Sequence, residues 1–136
     1  MIEVAAVIDS VGRPIYWHHP PENRMGAIPD SRNLWDVLWE NRNIILGVAH
    51  THPWTGIPVA SSTDVTTFAA VEAGLGRSLL WPIVSLDAEC TYIKVPQAGV
   101  FAPSSSGDIF LGVSPFWEET KRKLRLLSQF EGEADD

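Results

Sequence analysis

The chain has 136 residues, of which 45% are hydrophobic, and its formal net charge is −7. A chain of this length and composition can bury one core, so we expect a single domain. Its acidity disfavours contact with phosphate, and we expect no nucleic-acid partner. No apolar run is long enough to cross a bilayer, and the opening segment lacks a basic leader. Because Cys90 is the only cysteine, no intrachain disulfide can form, and we expect a cytoplasmic protein without a membrane anchor.

The first part of the chain predicts a hairpin, a helix and a central strand. Two apolar strands surround the turn-rich sequence DSVGRP, a pattern typical of a β-hairpin. After a loop rich in proline and glycine, apolar residues at helical spacing predict a helix within 31–43, capped by Asp30 or Ser31. The run IILGVAH, residues 44–50, is rich in β-branched residues and predicts a strand covered on both faces.

The middle of the chain predicts a second helix and two further strands. This helix runs from about Thr63 to Ala73, and Gly74 and Gly76 follow it as stop signals. The apolar runs SLLWPIVSL and CTYIKV predict the strands. Proline lacks the N–H that a sheet ladder needs, so Pro82 predicts that the first of these strands lies at a sheet edge or contains a bulge.

The last part of the chain predicts a loop, a short strand and a helix. Residues 96–108 are rich in proline, glycine and serine and indicate a mobile surface loop, and 109–113 could form a last strand. The final helix begins near Pro115. We expect one domain over 1–130, followed by an acidic, disordered tail over 131–136. Strands interleaved with helices predict a layered α/β or α+β fold.

The end of the central strand carries the clearest chemical pattern. Residues i and i+2 of a strand point to the same side, so His50 and His52 could present two imidazoles to one metal ion. Asp64, in the first turn of the next helix, could return beside them. Two histidines and a carboxylate leave a fourth tetrahedral position for water, as in catalytic zinc sites. A plainer interpretation is that Ser61 and Asp64 form a capping box and that the histidines are exposed.

This ordered pattern, His-x-His-Pro, a loop and Ser-x-x-Asp, resembles the signature of the JAMM metalloproteases, also called MPN+ or JAB-domain proteins, of the small prokaryotic type. It stands here as HTHP and SSTD. The resemblance implies a single-domain layered α/β sandwich like that of the cytidine deaminases, with a mixed β-sheet flanked by helices. It also implies that His50, His52 and Asp64 bind Zn²⁺ and that Ser61 helps to hold the oxyanion of the intermediate. Asp64 follows His52 by 12 positions, one more than is usual in the family.

The family's catalytic glutamate lies on the first strand, and the sequence EVAAVI matches that segment with Glu3. The resemblance implies that Glu3 is the general acid/base. The alternative is an exposed, frayed terminal residue, with Glu22 as the reserve candidate for the acid/base. The family has a helix before this strand, and the helix beginning near Pro115 could cover the sheet where that helix packs.

The resemblance implies a zinc-dependent peptidase or isopeptidase that cleaves an amide bond after the C-terminal glycine of a ubiquitin-like or sulfur-carrier protein, or a phage-tail-type peptidase. The alternative is a non-catalytic MPN-like module that binds a protein partner, with a structural metal or none. Trp54 directly follows the motif and could line a groove for an extended substrate tail or pack over the sheet edge. His18 and His19 are interpreted as a solvated pair.

Overall fold

A mixed β-sheet lies at the centre of the protein, in a computed structural model that describes residues 2–19 and 32–129. The strands found in these ranges are β1 Ala5–Asp9, β2 Pro14–His18, β3 Ile45–Thr51, β4 Trp81–Val84, β5 Glu89–Val95 and β6 Val100–Pro103. They form one six-stranded sheet in the order β2-β1-β3-β4-β5-β6. β3 and β4 run parallel, and the other neighbouring pairs are antiparallel.

Helices cover both faces of this sheet. They are α1 Arg32–Glu40, α2 Ser62–Leu75, α3 Ser105–Gly112 and α4 Trp117–Gln129. One apolar cluster joins β1 and β3 to α1 and α2, and a second cluster on the opposite face joins them to α3 and α4. Alternation along β1 explains this division, since Ala5 and Val7 belong to the first cluster and Ala6 and Ile8 to the second. The predicted layered α/β sandwich with a mixed sheet is therefore confirmed.

The predicted second helix is confirmed, with one difference at its end. α2 has the αL cap at Gly76, where φ is +70°, as the stop signal predicts. Gly74 instead lies inside the helix. A Cβ there would come within 2.6 Å of the Trp35 ring, so this glycine allows α1 to pack closely against α2.

The prediction that Pro82 marks a sheet edge is wrong, because β4 lies between β3 and β5. The parallel pairing with β3 is interrupted around the proline, with one bridge at Gly47 and Leu80 and the next pair at His50 and Ile83. Leu80 donates its N–H to β3, and by strand alternation the nitrogen of Pro82 faces the same side. The sheet therefore accepts a proline in a central strand by losing ladder contacts locally.

The loop and strand predicted over residues 96–113 are also wrong. Residues 100–103 form the edge strand β6, and the serine run begins α3 because the Ser104 side chain accepts the N–H of Gly107. The apolar run IFLGV lies within and just after α3, with Ile109 and Val113 exposed and Leu111 buried. A short apolar run does not distinguish a strand from a helix, and here the capping serine decides.

Some predictions fall outside the described ranges, namely the Asp30 or Ser31 cap, the reserve residue Glu22 and the tail over 131–136. Within those ranges, no helix has the length and apolar character needed to cross a membrane.

Gly47 is required where β3 passes β4. A Cβ at this position would lie 1.9 Å from the carbonyl oxygen of Leu80, which is backbone and cannot rotate away. We expect Gly47→Ala to lower the free energy of unfolding by more than about 2 kcal/mol, because the two strands must separate. Gly112→Ala is the matched control, since its Cβ would meet nothing within 4 Å, and it should change stability by about 1 kcal/mol or less. Urea unfolding of both variants measures this, and equal midpoints would contradict the explanation.

Candidate metal centre

The two histidines of the motif lie together at the carboxyl end of β3. His50 is opposite Ala5 of β1, and His52 follows the strand with its N–H donated to the Val84 oxygen of β4 at 3.0 Å. Their ring centroids are 5.2 Å apart. Both are buried, with 0% and 2% of their surface exposed, so the interpretation of exposed strand-end histidines is wrong.

Asp64 links the first turn of α2 to both histidines. Its Oδ2 accepts the N–H of Ser61 at 2.9 Å and lies 3.0 Å from His52 Nε2, while its Oδ1 lies 3.3 Å from His50 Nε2. Ser61 Oγ accepts the Asp64 N–H at 3.0 Å, which completes the capping box. The cap and the approach to the histidines were predicted as alternatives, and the structure contains both.

Glu3 lies two residues before β1 and on the same side of the sheet as Ala5. Only 5% of its surface is exposed, so the alternative of an exposed, frayed residue is wrong. One ligand atom from each of Glu3, His50, His52 and Asp64 lies within 4.8 Å of the others, and all four residues are buried. This group could hold a metal ion.

The polar atoms of the cluster support a cation site. Four polar atoms of the cluster are buried and have no hydrogen-bond partner within residues 2–19 and 32–129, namely Glu3 Oε1, both ring nitrogens of His50 and Nδ1 of His52. His50 Nε2 is within ion-pair distance of Asp64 but lacks hydrogen-bond geometry. Unpaired polar atoms are costly to bury, and a shared cation would compensate several of them at once.

In the metal-free cluster, the pKa values of the Glu3 and Asp64 carboxyl groups are shifted in opposite directions. Burial, and then the charge of Asp64, raise the pKa of Glu3 to about 8. Burial alone would also raise the pKa of Asp64, but its contacts with His50 and His52 lower that pKa below its usual range. Burial lowers the pKa of His50, against the opposing effect of Asp64.

Two exposed residues, Ser61 and Trp54, lie next to the buried cluster. Ser61 is exposed, and its hydroxyl accepts a hydrogen bond from Asp64 while its own hydrogen has no acceptor among the described residues. Trp54 is 52% exposed, and its ring lies over His52 with centroids 4.7 Å apart. Of the two placements predicted for Trp54, this contact favours a position beside the site.

His18 was misinterpreted from the sequence, and Ser128 was missed. His18 is buried and its Nε2 has no partner among the described residues, so the predicted solvated pair is wrong for this residue, whereas His19 is exposed. Thr51 lies between the two histidines with its side chain on the opposite face, and Ser128 of α4 contacts it there. Strand alternation indicates the direction of Thr51, but no sequence signal identifies Ser128.

No protein-family model matches the chain, and no curated protein matches it. The interpretation of the cluster therefore depends on the motif and on the geometry of these residues.

In the metal-free protein, Glu3 should make stability depend on pH. Its pKa is raised from 4.5 to about 8, so the folded state retains a proton that the unfolded state releases. The stabilisation that this proton gives the folded state is fully present below the pKa of Glu3 in the unfolded chain. It is lost as the pH rises through about 8. We expect unfolding free energy to fall across this window in the wild type relative to Glu3→Gln. Urea unfolding at several pH values, in the presence of a chelator, measures the difference in unfolding free energy between the two proteins. The contributions of the other titrating groups cancel in this difference to first order.

Glu40→Gln, at an exposed position of α1, is the control and should follow the wild type. Parallel pH profiles for the wild type and Glu3→Gln would show that the carboxyl is not held protonated.

Proposed function

We propose that the protein is a JAMM-type zinc metallopeptidase or isopeptidase that hydrolyses an amide bond. The observation that carries the proposal is the buried group of Glu3, His50, His52 and Asp64, with the Ser61 hydroxyl beside Asp64. The separate pieces are common in proteins. Their meeting in one place, from distant parts of the chain, is what supports a catalytic site.

The donor set is suited to zinc. His50 and His52 offer imidazole nitrogens and Asp64 offers a carboxylate oxygen, and three such ligands leave one position for water or substrate. A bound zinc ion would supply a Lewis acid that polarises the substrate carbonyl and lowers the pKa of a water molecule. All three side chains are almost fully buried, which excludes bulk water from the charged groups.

Glu3 would act as the general acid/base. Its carboxyl belongs to the cluster, and its raised pKa near neutral allows it both to accept and to return a proton. It would take a proton from the attacking water and deliver it to the leaving amine. One buried group placed next to the reacting atoms can perform both transfers in sequence.

Ser61 would bind the oxygen that becomes negative during attack. Its hydroxyl is oriented by the N–H of Asp64 at 3.0 Å, and its hydrogen is available for donation towards the site. A donor held in advance at this position stabilises developing charge without reorganisation. The same hydrogen bond therefore caps α2 and prepares the hydroxyl.

We propose that the substrate is an extended tail, such as the C-terminal segment of a ubiquitin-like or sulfur-carrier protein. The half-exposed Trp54 ring beside His52 would contact residues near the scissile bond.

Cys90 is free and buried, in agreement with a cytoplasmic protein.

A second candidate is a non-catalytic protein-binding module with a structural metal. Three apolar residues within and just after α3 favour it, since Ile109, Phe110 and Val113 are 69%, 52% and 78% exposed. Exposed apolar patches often mark protein interfaces. Turnover separates the two candidates, because a binding module would hold the metal without cleaving any amide probe.

Two variants separate metal binding from proton transfer. His52→Ala should lose bound zinc, since it removes a ligand, and we expect elemental analysis to show near-stoichiometric zinc in the wild type only. Glu3→Gln should keep zinc and lose about 10²- to 10⁴-fold in kcat, the range expected for a general acid/base. The probe is a fluorogenic amide of a peptide that ends in two glycines, followed by a ubiquitin-like protein extended past its terminal glycine.

Glu40→Gln is again the matched control and should retain both zinc and turnover. If His52→Ala keeps its zinc, the ligand assignment is wrong. If Glu3→Gln turns over at the wild-type rate, Glu3 is not the acid/base.

A further inference from the structure

Glu3 lies close to the chain start, yet it is buried in a site that requires a fixed carboxylate. Oε1 of this carboxylate has no hydrogen-bond partner among the described residues, so this oxygen does not fix the position of the side chain. What locates it is the backbone on either side. Ile2 and Val4 are 1% and 0% exposed, and both are hydrogen-bonded to residues outside their own segment.

Ser128 of α4 holds Ile2 through two hydrogen bonds. The Ile2 N–H donates to the Ser128 carbonyl oxygen at 3.1 Å, and the Ser128 hydroxyl donates to the Ile2 carbonyl oxygen. Ser128 lies next to the last residue described for α4, and no described residue follows it at the spacing from which a helical N–H would reach its carbonyl. The Ile2 N–H is the donor that this carbonyl has among the described residues.

Thr51 holds Val4 on the other side of Glu3. The Val4 N–H donates to Thr51 Oγ1 at 3.0 Å, and the Thr51 N–H donates to the Val4 oxygen at 3.0 Å. Thr51 Oγ1 in turn donates to Ser128 Oγ at 3.4 Å. Thr51 therefore connects β3 to both the start of the chain and α4.

These contacts form one directed chain of donors. Val4 donates to Thr51, Thr51 donates to Ser128, and Ser128 donates to Ile2. Each hydroxyl accepts one hydrogen bond and donates one, and both residues are at least 98% buried. Hydrogen bonds in such a chain strengthen one another, and loss of one hydroxyl leaves buried groups unpaired on either side.

We propose that Ser128 is a positioning residue for Glu3, so that the C-terminal helix fixes the acid/base of the site. This inference rests on the proposed function for the role of Glu3, but the hydrogen-bonded link itself does not. Among the described residues, Ser128 has no hydrogen bond to the side chains of Glu3, His50, His52 or Asp64. It acts through the backbone of Ile2 and, with Thr51, through that of Val4.

The test compares Ser128→Ala with Thr120→Val. Thr120 is also a buried residue of α4 with a hydroxyl group, but its hydroxyl donates to the carbonyl of Phe116, just before α4, and has no hydrogen bond to residues 2–4. Hydrogen exchange of the Val4 amide should become about tenfold faster in Ser128→Ala, since the acceptor Thr51 is no longer held. It should stay at the wild-type rate in Thr120→Val.

Turnover and zinc content show whether the link positions Glu3. In Ser128→Ala we expect kcat to fall about tenfold, as small displacements of a catalytic group do, while KM and bound zinc stay unchanged. In the Glu3→Gln background, Ser128→Ala should cause no further loss, because its effect passes through Glu3. An equal loss in both backgrounds would overturn the positioning role and indicate general destabilisation, and an unchanged Val4 exchange rate would overturn the link.

A wild-type protein that binds metal but cleaves no amide probe would refute the proposed function without deciding this inference. Absorption bands of the Co²⁺-loaded protein then decide it. Glu3→Gln should alter these bands, and Ser128→Ala should alter them in the same direction while Thr120→Val should not. Bands of Ser128→Ala identical to the wild type would overturn the positioning role. If the wild type takes up no Co²⁺, both the metal site and the positioning role are refuted. The Val4 exchange rates then show only whether the hydrogen-bonded link exists.

Discussion

The carboxylate of Asp64 is the contact on which the candidate site depends. Its Oδ2 accepts the N–H of Ser61 in the cap of α2 and lies beside His52, and its Oδ1 lies beside His50 at the end of β3. α2 therefore has a defined start because its first turn is attached to the central strand. The cluster in turn has a defined shape because its carboxylate is held by a helix cap, and the site and the local fold share one set of hydrogen bonds.

The parts of the structure that could be predicted from sequence are those set by local patterns. Alternation along the run before His52 places both histidines on one face, and the serine three residues before Asp64 defines the helix start. The hairpin followed from two apolar runs around a turn that Asp9 closes by accepting the N–H groups of Val11 and Arg13. In each case the decisive contact joins residues only a few positions apart, or follows directly from strand geometry.

Tertiary arrangement overrode the sequence patterns elsewhere. Pro82 indicated an edge strand, but the parallel crossover through α2 places β4 beside β3, and the sheet tolerates an interrupted ladder there. The apolar run after Gly107 indicated a strand, but its capping serine and the packing of Leu111 make it a helix. The link from Ser128 to Ile2 spans 126 positions, and no local pattern could reveal it.

Because of this long-range link, residues on both faces of the sheet contribute to the site. The side chains of His50 and His52 project from β3 towards α2, while Thr51, between them in sequence, projects towards α4. Because side chains alternate along a strand, a strand that presents two ligands must present the intervening residue to the other face. Here that residue is a buried threonine hydrogen-bonded to Val4, just before β1, and to Ser128 of α4. The face opposite the two histidines thus holds the backbone on either side of Glu3, and residues on both faces of the sheet support one buried cluster of four side chains.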